Sequence, residues 1–262
     1  MRIALVTLGC RTNQAETFRL ERAIREARHE IVGRPDEADL CIINTCTVTG
    51  KADLQSRQVI RRALRKGKRV IATGCFTELN RPEMGDCGGD LTLVPNDKKD
   101  DIIKLIGEAQ PGKTAVIAKE GRKRPVIKVQ DGCDHSCSYC VVPAARGRSR
   151  SSAVSDVLSE IALCEEEGYN EIVLSGIHLG MYGRDHDPGE TLSSLLENIL
   201  LRCRIPRIRL SSLEISEIDE RLLEVLTNER ICRHLHVPLQ SGSDNILKSM
   251  NRSYTARSFI DT

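Results

Sequence analysis

Three cysteines crowd the stretch Gly132–Cys140, which reads G-C-D-H-S-C-S-Y-C. Cys133, Cys137 and Cys140 stand in a C-x3-C-x2-C spacing. Soft thiolates this close together hold a metal ion or an iron–sulfur cluster. Three ligands are one short of the four taken by a closed structural zinc site or a fully ligated cubane. In a cubane, one iron would be left open to a ligand that is not protein. The same residues also suit three reduced structural thiols, or a zinc site completed by His135 or a distant side chain.

A second set is spread along the chain. Cys10, Cys46 and Cys75 lie 36 and 29 residues apart, and each follows an apolar, β-branched run. The pattern predicts strands at Arg2–Leu8, Asp39–Thr45 and Arg69–Thr73, with amphipathic helices at Asn13–Arg28 and Ala52–Lys66. It continues with a loop at Arg81–Asp90, a short strand at Leu91–Val94, a helix at Lys98–Ile106 and a last strand at Thr114–Ala118. Strands alternating with helices imply a parallel sheet, and ligands of open α/β sheets bind at its carboxyl edge. Three strand-end cysteines would converge there as a shared metal site. Cys41 lies inside a strand and reads as a small buried hydrophobe. Cys87, Cys164, Cys203 and Cys232 show no partner spacing and read as structural.

Gly121–Pro125 (G-R-K-R-P) marks a boundary, so the chain divides into residues 1–120 and 125–262. Strands are expected at Val126–Val129, Glu171–Leu174, Arg207–Leu210 and His234–Val237. Helices are expected at Val154–Glu167, Leu192–Leu201 and Glu220–Leu226, with one more beginning near Asp244. The fold class is therefore α/β, with a parallel-sheet βα domain followed by an incomplete (βα) TIM barrel whose active site sits in the loops after the strands. Four βα units cannot close a barrel, so a fragment or incomplete gene product is expected.

Composition narrows the class. With 262 residues and 40% hydrophobic content the chain can build packed cores. No apolar run approaches the ~18 residues of a membrane span, and the N-terminus is too quickly polar for a signal peptide. No membrane association and a cytoplasmic location are expected. Eleven cysteines in a reducing compartment point to metal or redox chemistry rather than disulfides. A net charge of +2 is compatible with nucleic-acid binding, while 3% aromatics and no Trp leave little for base stacking.

The cysteine loop, with a strand before it and βα units after it, resembles the radical S-adenosylmethionine superfamily. Tyr139 matches the aromatic residue common before the third cysteine of that motif. T-L-G-C-R-T-N-Q (Thr7–Gln14), N-T-C-T-V-T (Asn44–Thr49) and T-G-C (Thr73–Cys75) resemble the methylthiotransferases within it. So do the stretch Gly132–Arg150, L-S-G-I-H-L-G (Leu174–Gly180) and H-V-P-L-Q-S-G (His236–Gly242). The resemblance covers essentially the whole chain. It implies two [4Fe–4S] clusters, one on Cys133, Cys137 and Cys140 and an auxiliary one on Cys10, Cys46 and Cys75. It also implies S-adenosyl-L-methionine as cofactor and an electron donor such as flavodoxin or ferredoxin.

N-T-C-T-V-T followed by K-A-D-L-Q-S-R-Q (Lys51–Gln58) is most similar to the branch acting on threonylcarbamoyladenosine of tRNA. That branch replaces the C2 hydrogen of adenine-37, in the anticodon loop, with a methylthio group, using a deoxyadenosyl radical and a second S-adenosylmethionine as methyl donor. The other branches act on isopentenyladenosine-37 or on an aspartate of a ribosomal protein. A non-catalytic iron–sulfur or tRNA-binding fragment is the alternative from another class.

Tyr139 is a candidate cofactor contact on this resemblance, while Ser175, Gly176, Ser212, Glu214 and Gln240 follow strands, where the cofactor's amino group and ribose would lie, and read equally as turn or capping residues. His178, His234 and His236 are candidate ligands, although single histidines near strands are more often core groups or supports behind the ligands. Arg57, Arg61, Arg62 and Arg65, and the Arg146, Arg148 and Arg150 tract, are candidates for tRNA phosphates or ordinary solvated faces.

Overall fold

The computed structural model describes residues 1–85, 87–107, 124–186 and 189–262. The described residues fall into two units. One contains residues 1–107 together with Ala144–Arg146, and the other contains 124–143 and 147–262.

The first unit is a five-stranded, all-parallel sheet. Its elements run β1 (Arg2–Thr7), α1 (Arg11–Glu26), β2 (Glu30–Val32), β3 (Leu40–Thr45), α2 (Gly50–Arg65), β4 (Arg69–Gly74), α3 (Cys75–Leu79), α4 (Arg81–Gly85), β5 (Leu91–Leu93) and α5 (Ile102–Ile106). The strand order is β2-β1-β3-β4-β5. Every residue of β3 is buried, as the central strand of a sheet covered on both faces must be. Its side chains alternate between two cores. Cys41 and Ile43 pack with Ile60 and Ala63 of α2, and Leu40 and Ile42 with Leu20 and Ile24 of α1 and Ile102 of α5. Cys41 is fully buried, as expected. Thr49 caps α2, its hydroxyl accepting from the Ala52 amide at 3.1 Å.

Three local expectations change. The edge strand β2 is only three residues long and lacks the alternation that would announce it. The predicted loop at Arg81–Asp90 begins with a helical turn, because Met84 is buried in the core beside Phe76. The predicted helix at Lys98–Ile106 is a 3-10 turn at Asn96–Asp101 leading into α5. The predicted strand at Thr114–Ala118 lies outside the described residues.

The second unit comprises β6 (Val126–Lys128), β7 (Gln130–Asp131), α6 (Val142–Arg146, whose last three residues belong to the first unit), β8 (Arg150–Ser151), α7 (Val154–Glu166), β9 (Glu171–Ser175), α8 (Leu192–Arg202), β10 (Arg207–Leu210), α9 (Glu220–Leu226), α10 (Asp244–Ser249) and α11 (Ala256–Asp261). β6, β9 and β10 form a parallel sheet in the order β10-β9-β6. The fourth predicted strand, His234–Val237, does not form. Within that segment His236 forms an isolated parallel bridge to Ser212, just past β10, and before it Ile231 bridges Ile208 of β10. His234, Leu235 and His236 are exposed, and Pro238 has no amide to extend a ladder. Among the described residues, no helix is long and apolar enough to cross a membrane.

Glu171, at the start of β9, receives Arg209 at 2.8 Å, Arg207 at 3.1 Å and Arg124 at 3.3 Å. Burial pushes its carboxyl up, but the bonds from Arg209 and Arg124 and their charges hold it below the ordinary glutamate value. A depressed carboxyl contributes stability that is present above its unfolded pKa and lost as pH falls through the folded one. In urea melts, Glu171→Gln is expected to be less stable than the parent at pH 7, with the gap shrinking below about pH 4.5. A gap independent of pH would contradict this assignment.

Candidate cysteine sites

Parallel pairing of β1, β3 and β4 puts their carboxyl ends on one edge, and Cys10, Cys46 and Cys75 follow those ends. The turn after β1 is close-packed. Gly9 has φ +92°, and a Cβ there would lie 2.4 Å from Cys46 Sγ, so only glycine fits. Asn13 ties the edge together, its side-chain amide donating to the carbonyls of Leu8 and Thr45, both at 2.8 Å. Its Oδ1 lies 3.8 Å from Cys10 Sγ. Cys46 and Cys75 are buried, and burial pushes both thiols up. For Cys75, the charges of Arg146 and Lys99 and a hydrogen bond from Arg146 act in the opposite direction.

That bond runs from Arg146 Nε to Cys75 Sγ at 3.2 Å. The same guanidinium donates to Glu16 Oε1 at 2.8 Å and to Asn13 Oδ1 at 2.6 Å. Glu16 is also paired with Lys99 and accepts from Asn44 at 3.2 Å. Arg146, Glu16 and Lys99 are all nearly inaccessible. Arg146 is therefore not a phosphate-gripping surface residue. Arg148 is exposed and paired with Asp134, and Arg150 is exposed.

In the second unit, Cys133, Cys137 and Cys140 line a pocket of about 200 Å³ with His135, His178, Ser212, Glu214, Gln240 and Arg252. The loop carrying them is fixed at its start and in its middle. At its start, Gly132 has φ +71°, and a Cβ there would fall 1.9 Å from the Arg148 carbonyl oxygen. Gln130 donates to the Gly132 carbonyl at 2.8 Å, while its own oxygen accepts from the His178 amide at 2.8 Å. In its middle, the Asn251 amide donates to Ser136 Oγ at 2.7 Å.

His178 backs the thiols. Its Nδ1 lies 3.6 Å from Cys133 Sγ, and its Nε2 faces Glu217 and, at 3.3 Å, Glu214. Burial would lower its pKa, but the bonds to Cys133, Glu214 and Glu217 outweigh that and push it up to about 11. Its two nitrogens thus face the Cys133 sulfur on one side and the two carboxylates on the other. Glu214 is held below its ordinary value, first by its bond to His178, and it also pairs with Arg252 at 3.0 Å.

Ser212, Glu214 and Gln240 are thus brought to the three thiols. Tyr139, Ser175 and Gly176 are not among the pocket's lining residues. Tyr139 is half-exposed with its hydroxyl bonded to Arg252, Ser175 is buried at the end of β9, and Gly176 packs against Gln130. His236 bonds Ser212 at 2.6 Å, and His234 is exposed. Arg57 is paired with Glu83, whereas Arg61, Arg62 and Arg65 are exposed on α2. Cys164, Cys203 and Cys232 are buried. Cys87 is half-buried beside Met84. Sequence reasoning missed Glu16, Asn13, Lys99, Glu217 and Arg252. No shared local signal marks them: Asn13 and Glu16 sit in the mostly polar helix α1, and Lys99 in the wholly polar run N-D-K-K-D-D.

Residues 2–94 match the family described as Uncharacterized protein family UPF0004, and residues 127–262 match the Radical SAM superfamily. The threonylcarbamoyladenosine tRNA methylthiotransferase MtaB of Aquifex aeolicus is 37% identical over 99% of this chain and 68% of its own length. Its Bacillus subtilis counterpart is also 37% identical, over 99% of this chain and 62% of its own length. A tRNA-2-methylthio-N(6)-dimethylallyladenosine synthase of Thermotoga petrophila is 29% identical, over 99% of this chain and 63% of its own. The chain thus spans a little under two thirds to 68% of these relatives. Among solved structures, the radical S-adenosylmethionine methyltransferase TsrM from Kitasatospora setae shares the fold. Its TM-score is 0.66 at 15% identity, covering 98% of this chain and 64% of that one.

The approach of Gly132 to the Arg148 carbonyl makes a direct prediction. Gly132→Ala is expected to cost more than about 2 kcal/mol, through the forced φ and the backbone clash, in chemical denaturation of the metal-free protein. An unchanged midpoint would show that the loop does not need this approach.

Proposed function

The chain belongs to the radical SAM methylthiotransferase family, and from that membership we propose that it adds a methylthio group to C2 of N6-threonylcarbamoyladenosine-37 in tRNA. The observation that carries the reading is the pocket in which three thiols face Ser212, Glu214, Gln240 and Arg252. The family implies a [4Fe–4S] cluster and S-adenosyl-L-methionine.

The donor set fits both. Three thiolates leave a fourth coordination position open, and that position is bordered by polar groups. Among the described residues, Glu214 Oε1 and Arg252 Nε are buried without a hydrogen-bond partner, as expected for a site built to receive a polar ligand. Cys133, Cys137 and Cys140 would hold the cluster, and Ser212, Glu214 and Gln240 would meet the cofactor's polar groups. When bound, cluster and cofactor supply the one-electron chemistry that removes hydrogen from an unactivated C–H bond.

The chain's own residues orient and insulate. His178 lies against Cys133 through Nδ1 and is held in place by Glu214 and Glu217, which fixes the direction of that ligand. Gln130 fixes the spacing between the cysteine loop and the His178 turn. Cys10, Cys46 and Cys75 would hold a second, auxiliary [4Fe–4S] cluster. The threonylcarbamoyl branch is favoured by the names of the relatives at 37% identity over those at 29%. The tRNA anticodon loop as partner, a flavodoxin or ferredoxin as electron donor and a cytoplasmic location complete the reading.

Anaerobic reconstitution should load about eight irons per chain, falling to about four in the Cys133→Ala/Cys137→Ala/Cys140→Ala variant. With dithionite and S-adenosylmethionine the parent should release deoxyadenosine and the variant none. Loss of the gene should remove the methylthio group from threonylcarbamoyladenosine in tRNA digests. Retention of that group, with loss from isopentenyladenosine instead, would move the protein to the other tRNA branch.

A further inference from the structure

Arg146 lies just after the cysteine loop in sequence, only six residues beyond Cys140, yet its side chain belongs to the first unit. It is 4% exposed. Its Nε donates to Cys75 at 3.2 Å, and its two terminal nitrogens donate to Glu16 at 2.8 Å and Asn13 at 2.6 Å. Asn13 in turn lies against Cys10, so one guanidinium reaches two of the three strand-end thiols, one directly and one through an amide. The backbone is anchored as well, since the Asn96 side chain donates to the Ala145 carbonyl at 2.6 Å.

This arrangement bears on the charge of whatever the thiols hold. Guanidinium remains protonated under all folding conditions and donates in a rigid fork. Reduction of an iron–sulfur cluster adds one negative charge, spread partly onto its sulfur ligands. A buried cation donating to such a sulfur stabilises the reduced form more than the oxidised one, and N–H···S bonds are among the levers that set cluster potentials. The burial of Arg146 and Cys75 keeps solvent from screening that effect.

We propose that Arg146 is a positioning residue of the Cys10–Cys46–Cys75 site, and that its hydrogen bond to Cys75 raises the reduction potential of the cluster held there. The proposal rests on the reading that those cysteines hold a cluster. It assigns to the segment after the cysteine loop a function in the auxiliary site, which the strand-end cysteines alone do not reveal.

The test uses the full chain carrying Cys133→Ala, Cys137→Ala and Cys140→Ala, so that only the auxiliary site can load. Midpoint potentials are read by dye-mediated titration followed by electron paramagnetic resonance. Arg146→Gln, which removes the charge, should lower the potential. Arg146→Lys keeps a cation for Glu16 but not the planar fork at the sulfur, and its potential should fall between the two. The Lys variant carries the test if the Gln variant does not fold, because Glu16 retains a cationic partner. Identical potentials in the parent and the Lys and Gln variants, with or without a shifted melting temperature, would reduce Arg146 to a purely structural role and overturn the proposal. No cluster at all in the triple-alanine parent would instead overturn the cluster reading on which it rests.

Discussion

Parallel pairing is the constraint on which the first unit depends. Strands that run in one direction present all their carboxyl ends at one edge, so residues far apart in sequence meet without any dedicated scaffold. β1, β3 and β4 are neighbours in the sheet, and their register is continuous from Ile3–Leu40 to Thr45–Gly74. The cost is that every strand must be followed by a chain reversal that packs closely at that edge. Gly9, pressed against Cys46, and Asn13, which donates to the carbonyls of Leu8 and Thr45, meet that requirement.

The second unit solves the same problem with fewer strands. Its three cysteines come from one loop, so the sheet needs only to hold that loop against the turns after β9 and β10. Gln130 does this with both ends of its amide, and a buried side-chain amide used fully is a rigid spacer. Glu214, from the turn after β10, and Arg252, beyond α10, then meet at the pocket beside His178 from the turn after β9.

The positions of the cysteines were legible in the sequence because each depends on local pattern. Cys46 and Cys75 each follow an apolar run after two intervening residues, Asn44-Thr45 and Thr73-Gly74, and the C-x3-C-x2-C spacing is itself local. Cys41 was legible for the same reason. The partners that surround the cysteines were not, because nothing local distinguishes Arg146 from Arg148 and Arg150 in one basic tract. Only the fold separates them, burying the first against Glu16 and leaving the others exposed. The segment His234–Val237 failed in the opposite sense. Its residues favour a strand, but a strand also needs a neighbour that can complete its ladder, and only single bridges form.

The buried trio of Glu16, Lys99 and Arg146 adds a further argument. Withdrawing charges from water is expensive, and replacing such a group with apolar residues is often neutral or stabilising, so stability alone gives little reason to keep it. The trio does, however, give direction to its neighbours. Lys99 and Arg146 share the Glu16 carboxylate, which holds the guanidinium by one edge and leaves Nε aimed at Cys75. A lone cation on a flexible stem could lie near a thiol in many orientations. Fixed by Glu16 and Asn13, Arg146 has one, and the geometry at Cys75 becomes a property of the fold rather than of a mobile side chain.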